Sequence, residues 1–176
     1  MAEPDVSRRI LILRHAKSDW AAGVRSDFER PLNGRGRRAA AAMGIWLAEE
    51  APTPSLVLCS AARRAEETWG IVARQWPAAP VPVLDESLYL AETADLLERL
   101  RSLDDDMATV CLVGHHPGFD GLAILLAEDW AAPGVAAMQA KFPTGALADL
   151  AFDGSWSSLG PRKATLLRFV RPKDLV

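Results

Sequence analysis

Leu11-Ile12-Leu13-Arg14-His15-Ala16-Lys17-Ser18 joins a short apolar run to an arginine and a histidine, then turns polar. Residues 10–14 read as a buried strand, with Arg14-His15 where it leaves the sheet. Open α/β sheets hold their ligands in loops at the carboxyl ends of strands. An arginine beside a histidine there points to an anion and to a nucleophile or base.

Two further apolar runs end in the same way. Residues 56–59 read as a buried strand leading into Ser60-Ala61-Ala62-Arg63-Arg64, and residues 109–113 as one leading into Gly114-His115-His116-Pro117-Gly118. Helical patterns separate them. One helix runs from 32 or 33 towards 50, with Ala39, Met43, Trp46 and Leu47 on one face and Pro52 and Pro54 ending it. A second covers 61–75 and stops before Pro77. Residues 81–84 form a short strand that Pro82 assigns to a sheet edge. Thr93 is expected to cap a helix over 93–103, with Leu96, Leu97, Leu100 and Leu103 facing inward. Another helix is predicted over 119–130, followed by irregular chain over 131–144. Strands over 146–152 and 164–170 pair antiparallel around Asp153-Gly154. This alternation predicts an α/β sandwich with helices on both faces. Residues 1–9 read as a loose, flexible N-terminus, and 10–176 as one domain. Residues 17–33 form a long loop, and such loops are more often functional than idle.

Composition narrows the classes. The chain has 176 residues, enough for one domain with a sizeable core, and 49% of them are hydrophobic, which argues against disorder. A net charge of −3 argues against binding nucleic acid through bulk charge. The basic run Asn33-Gly34-Arg35-Gly36-Arg37-Arg38 does not alter that. Cys59 and Cys111 lie in strand-like runs and read as small buried hydrophobes. Asp104-Asp105-Asp106 reads as a solvated turn rather than a metal site. No stretch suits a signal peptide or a membrane span, so the expected location is cytoplasmic, with no membrane partner.

If the three strands are parallel neighbours, their loops meet at one sheet edge. Two arginines and two histidines then face a common point. Arginine forks match phosphoryl oxygens bidentately and stay charged at any working pH. The helix start near Gly118 adds backbone N–H groups and a favourable dipole.

These blocks resemble the histidine phosphatase, or phosphoglycerate mutase-like, superfamily. Arg14-His15-Ala16 resembles its first signature, Ser60-x-x-x-Arg64-Ala65-x-x-Thr68 its second block and Gly114-His115 its third. Arg14-His15-Ala16-Lys17-Ser18-x-Trp20, with Asp27-Phe28-x-Arg30-Pro31-Leu32-Asn33 and Gly36, is similar to the small bacterial branch named for the phosphohistidine phosphatase SixA. The fold implied is a three-layer sandwich around a mixed, mostly parallel six-stranded sheet. His15 then matches the nucleophile, Arg14 and Arg64 the phosphate-binding arginines, and His115 the second pocket histidine. Arg63 falls one place early, and His116 lies where the family pattern varies. Glu86-x-x-Tyr89 resembles the acidic block of larger relatives, which makes Glu86 the candidate general acid.

The implied chemistry is a metal-independent phosphatase acting through a phosphohistidine intermediate, with no cofactor. Neighbouring cations keep the attacking imidazole neutral. An alkoxide leaving group needs a proton, since its conjugate acid is about as weak as water, pKa ~15.7. An imidazole leaves more easily, being protonated near pH ~6.5. A site without a strong acid therefore favours a phosphohistidine-bearing protein as substrate. Phosphatase action on small esters such as sugar phosphates or nucleotides is the alternative, and a non-catalytic phosphate-binding regulator the rival of another class. Lys17, Ser18 and Arg30 are candidates to guide the substrate, and Trp20 and Trp156 to line the site. Oligomeric state stays open, leaning towards a monomer.

Overall fold

In the structure, a computed structural model describing residues 7–175, the strands β1 (Ser7–Arg14), β2 (Leu56–Ser60), β3 (Val83–Asp85), β4 (Thr109–Gly114), β5 (Leu147–Asp153) and β6 (Thr165–Val170) form one sheet. Their order is β3-β2-β4-β1-β5-β6. β3, β2, β4 and β1 pair in parallel, while β5 runs antiparallel to both β1 and β6. The mixed, mostly parallel sheet is thus as expected, with β3 at its edge, although that strand begins at Val83, just after Pro82, rather than at 81. Two helices, α1 (Gly34–Glu50) and α2 (Arg63–Gln75), cover one face. The other face carries α3 (Thr93–Arg101), α4 (Gly118–Leu126) and α5 (Pro133–Ala140).

Alternation along β1 builds both cores. Leu11 and Leu13 pack with Met43, Leu47, Trp69 and Val72. Ile10 and Ile12 point the other way, among Leu96, Leu100, Phe119, Leu122 and Met138. A strand buried on both faces reads as a continuous apolar run, which is why β1, β2 and β4 are conspicuous in the sequence. Cys59 and Cys111 lie wholly inside, and burial pushes the Cys59 thiol up to about 12. None of the described helices is long and apolar enough to cross a membrane.

Several expectations need correction. Ser7–Arg9 belong to β1 and pair with β5, so the loose terminus does not extend through residue 9. Arginines conceal this end of the strand, but both are held: Arg8 donates to the carbonyls of Gly154 and Asp105, and Arg9 to the buried Asp149 carboxylate. The rest of that expectation, residues 1–6, lies outside the described residues. Thr93 does not cap α3; Glu92 holds that position, and the Thr93 hydroxyl donates instead to the carbonyl of Gly118. α4 ends at Leu126 because Ala127 leaves the helix to bridge with Ala164. The stretch read as irregular contains α5, which opens with Pro133 in its first turn. Its signal is faint, since only Val135 and Met138 of its eight residues are buried. Asp105 is not merely solvated: its carboxylate accepts from Trp156 N at 2.8 Å.

The first turn of α1 lies against the loop that follows β1. Asn33 caps it by accepting from Gly36 N at 2.9 Å. At Gly36 a Cβ would stand 2.0 Å from the carbonyl oxygen of Lys17, so helix and loop approach closer than any side chain permits. Gly36→Ala should therefore cost about 1–3 kcal/mol through overpacking against backbone, read as a lowered denaturation midpoint.

Candidate active site

Because β2, β4 and β1 are adjacent and parallel, their carboxyl ends open side by side. Arg14 is in register with Gly114, and His15 N donates to the Gly114 carbonyl at 2.8 Å. The three following loops bring Arg14, His15, Arg64 and His115 into one cluster.

His15 is only 6% exposed. Its Nδ1 lies 2.7 Å from the carbonyl of Ala16, an acceptor, so the proton sits on Nδ1. Arg64 Nε lies 3.3 Å from His15 Nε2 and donates to it, which requires a lone pair there. The two contacts together specify a neutral ring with one tautomer. Burial lowers its pKa most; the Ala16 hydrogen bond resists, and the charges of Arg64, Arg14 and Arg30 lower it further, to about 3.

Arg64 occupies the first turn of α2 and is almost fully buried. Its Nη1 donates to the Asp27 carbonyl at 2.7 Å and its Nη2 to Asp27 Oδ2 at 2.9 Å. Thr68, one turn along, accepts from Ala16 N at 3.0 Å and donates to the Arg64 carbonyl at 2.6 Å. One hydroxyl thereby fastens the start of α2 to the residue after His15. Arg63 is exposed and pairs with Glu67 at 3.0 Å, so Arg64 faces the histidine and Arg63 does not.

The His115 ring centroid stands 5.1 Å from that of His15. Its Nε2 is hydrogen-bonded to Ser60 Oγ at 2.7 Å, and its buried Nδ1 has no partner among the described residues. Burial, then the proximity of His15 and Arg64, brings its pKa to about 3. Tyr89 and Phe119 meet the ring edge-on, at 5.4 and 6.4 Å between centroids. Gly114 makes room for Phe119, since a Cβ there would fall 2.1 Å from the ring. Arg14 donates from Nη1 to the Phe142 carbonyl at 2.6 Å, while its buried Nε has no partner among the described residues.

Asp27 and Tyr89 belong to the sequence motifs but carry no role legible there, and the structure puts both in the pocket. Asp27 accepts from Arg30 Nε and Nη2 at 3.1 and 2.7 Å, from Arg64, and from the Tyr89 hydroxyl. Burial alone would raise its pKa, but the hydrogen bonds from Tyr89 and Arg30 and the charges of Arg64 and Arg30 outweigh this and hold it well below the usual carboxylate range. The three-residue spacing of Asp27 and Arg30 was the available signal, though the reach to Arg64 was not visible in it.

The other candidates divide. Arg30 is buried, stacks on Trp20 at 3.5 Å and donates to the buried Ser18 hydroxyl. Lys17 is exposed and lines a separate cavity with Arg14. Glu86 starts the 3₁₀ turn that delivers Tyr89; its carboxylate is exposed and has no hydrogen-bond or ion-pair partner among the described residues. His116 is exposed and binds Asp120 at 2.8 Å. Trp156 is not at the site: it is wholly buried, with its indole N–H on the Met107 carbonyl.

Comparison with known proteins agrees with this geometry. The family model of the histidine phosphatase superfamily, branch 1, matches residues 10–92. An uncharacterized protein of Mycobacterium tuberculosis is 36% identical over 163 residues, covering 92% of this chain and 100% of that one. The crystal structure of the proposed phosphohistidine phosphatase SixA from Agrobacterium tumefaciens is 30% identical, with a TM-score of 0.77 over 94% of this chain and 98% of that one. The chain belongs to the histidine phosphatase superfamily. Within it the protein is SixA-like, and the proposed SixA of Nakamurella multipartitia superposes with a TM-score of 0.84 at 26% identity, over 97% of this chain and 99% of that one. It is accordingly a phosphatase.

Both pocket histidines have pKa values far below the 6.5 of a free imidazole. Their ring signals in NMR should thus stay those of neutral imidazole from about pH 8 to about pH 5. The unfolded chain takes up protons on these rings below 6.5 and the folded chain does not. Folding stability from this source is therefore complete above pH 6.5 and declines as pH falls towards 3, and denaturant titrations at successive pH values measure that slope.

Proposed function

We propose that the protein hydrolyses phosphohistidine on a partner protein, through a phosphohistidine intermediate on its own His15. The carrying observation is the oriented neutral imidazole: Nδ1–H is held by the Ala16 carbonyl, and the Nε2 lone pair faces the guanidinium of Arg64. In the proposed first step Nε2 attacks phosphorus and the bond to the leaving nitrogen breaks. Water then attacks the phosphoryl group on His15, releasing inorganic phosphate and restoring the ring. Arg14, Arg64 and His115 stabilise the charge on the transferring oxygens. With Ser60 donating to Nε2, the His115 Nδ1–H is free to donate to a phosphoryl oxygen.

The preference for a phosphoramidate over an ester rests on the pocket's acid–base state. Asp27, the carboxylate in the cluster, is held ionised by its arginines and Tyr89, and so has no proton to give. Burial and the hydrogen bond to Asp27 push the Tyr89 hydroxyl upward, making it a weaker acid still. An alkoxide leaving group would go unprotonated here, whereas an imidazole takes a proton near neutral pH. Lys17 and Arg30 supply further positive charge on the approach, and Ser18 holds Arg30 in place.

Acid-labile phosphate should appear on His15 during turnover of a phosphohistidine peptide, and His15→Ala should reduce hydrolysis to background. Arg64→Ala should lower kcat/KM about 10²–10³-fold by removing donors to the transferring group. Glu86→Gln separates the two substrate classes. A phosphohistidine enzyme should keep most of its activity, whereas an ester hydrolase with Glu86 as acid should lose about 10²–10⁴-fold.

A further inference from the structure

Beside the catalytic cluster lies a second cavity of about 560 Å³, bounded by α1, α5, the loop into β5 and the C-terminal 3₁₀ turn (Pro172–Leu175). Its charged lining residues are Arg14, Lys17, Arg35, Lys141, Arg171 and Lys173, all cationic. Among the described residues two acidic groups act on them: Asp174, which pairs with Arg171 at 2.9 Å and also feels the charge of Lys173, and Asp120, whose charge reaches Arg14. Among the described residues the side chains of Lys17, Arg35 and Lys141 have no hydrogen-bond or ion-pair partner. The rest of the lining is mainly alanine and proline. The whole chain carries a net charge of −3, so this clustering runs against its overall balance.

Like charges gathered around one cavity repel one another, and an anion in the cavity removes that repulsion. We infer that this groove binds acidic side chains flanking the phosphohistidine of the substrate protein, extending the recognition surface from Arg14 across to α5 and the C-terminal turn. This rests on the phosphohistidine reading above. Arg14 is shared by the two sites: it is a residue of the catalytic cluster and also lines the groove. A segment whose phosphoryl group meets the catalytic cluster would therefore reach the groove past Arg14. The donor set favours carboxylates on a peptide over a compact second phosphate. The three lysines and three arginines stand on four separate chain segments, as spread charges rather than one bidentate fork. The small apolar residues between them offer contact to the aliphatic parts of a peptide. The arginine of the basic run at the start of α1, Arg35, thereby acquires a role, while Arg37 of the same run pairs with Glu67.

The test uses the triple variant R35Q/K141Q/K173Q, which alters exposed residues and leaves the catalytic cluster untouched. Three substrates are compared by kcat/KM: a phosphohistidine peptide flanked by glutamates, the same peptide flanked by glutamines, and phosphoramidate. The wild type should prefer the acidic flank, and the variant should lose that preference by about tenfold or more, with the loss in KM and with salt imitating it. Turnover of phosphoramidate and of the neutral peptide should not change. Equal loss on every substrate, or none, overturns the proposal. A non-phosphorylated hexaglutamate peptide supplies the independent arm. If it binds the wild type at least about tenfold more tightly than the variant, the groove stands even if phosphohistidine peptides are not hydrolysed, in which case the substrate reading fails alone. If inorganic pyrophosphate depends on these residues and hexaglutamate does not, the groove serves a small polyanion and the peptide proposal is wrong.

Discussion

A single hydrogen bond, from His15 Nδ1 to the carbonyl of the next residue, governs what this site can do. It consumes the only proton the ring carries at neutral pH and turns the remaining lone pair towards Arg64. Without it the imidazole has two tautomers and no fixed direction. Burial then removes the competing protonated state, and three surrounding guanidinium groups reinforce that effect. The ring is therefore an available nucleophile in surroundings that would welcome a phosphoryl dianion.

Keeping this arrangement requires the chain to be tied closely around residues 14–16. The His15 amide is bonded to β4, the Ala16 amide to Thr68 of α2, and the carbonyls of Arg14 and His15 to Gly145 N ahead of β5. Gly145, at φ 80°, adopts a left-handed conformation that few other residues tolerate. His15 is thus positioned by backbone and by one threonine. The arginines are positioned by acceptors: Phe142 for Arg14, and Asp27 for Arg64 and Arg30. Asp27 both orients two cations and, being ionised, withholds a proton, so one carboxylate sets geometry and acid–base state together.

The parallel strands and the four central site residues were legible because each has a local cause. Strands buried on both faces must be continuously apolar, and parallel strands must direct their carboxyl ends to one edge. An arginine or histidine directly after such a run is therefore conspicuous. The less legible parts lack a local signature. Ser7–Arg9 look like polar terminus until Asp149 and the carbonyls that receive their arginines are known. α5 is short, with only two buried side chains to mark it. Trp156 resembles a loop residue in sequence, yet the hairpin folds it beneath Met107 into the core.

Sequence order alone established the alternation of strands and helices, the parallel core, and which arginine and histidine residues stand at strand ends, because apolar periodicity and steric limits act over a few neighbouring residues. Contacts across the fold assigned the proton on His15, the ionised state of Asp27 and the gathering of cations beside Arg14. Those properties come from burial and from charges brought within a few ångströms by segments distant in the chain, and electrostatic energy depends on that separation in space, which order along the chain does not specify.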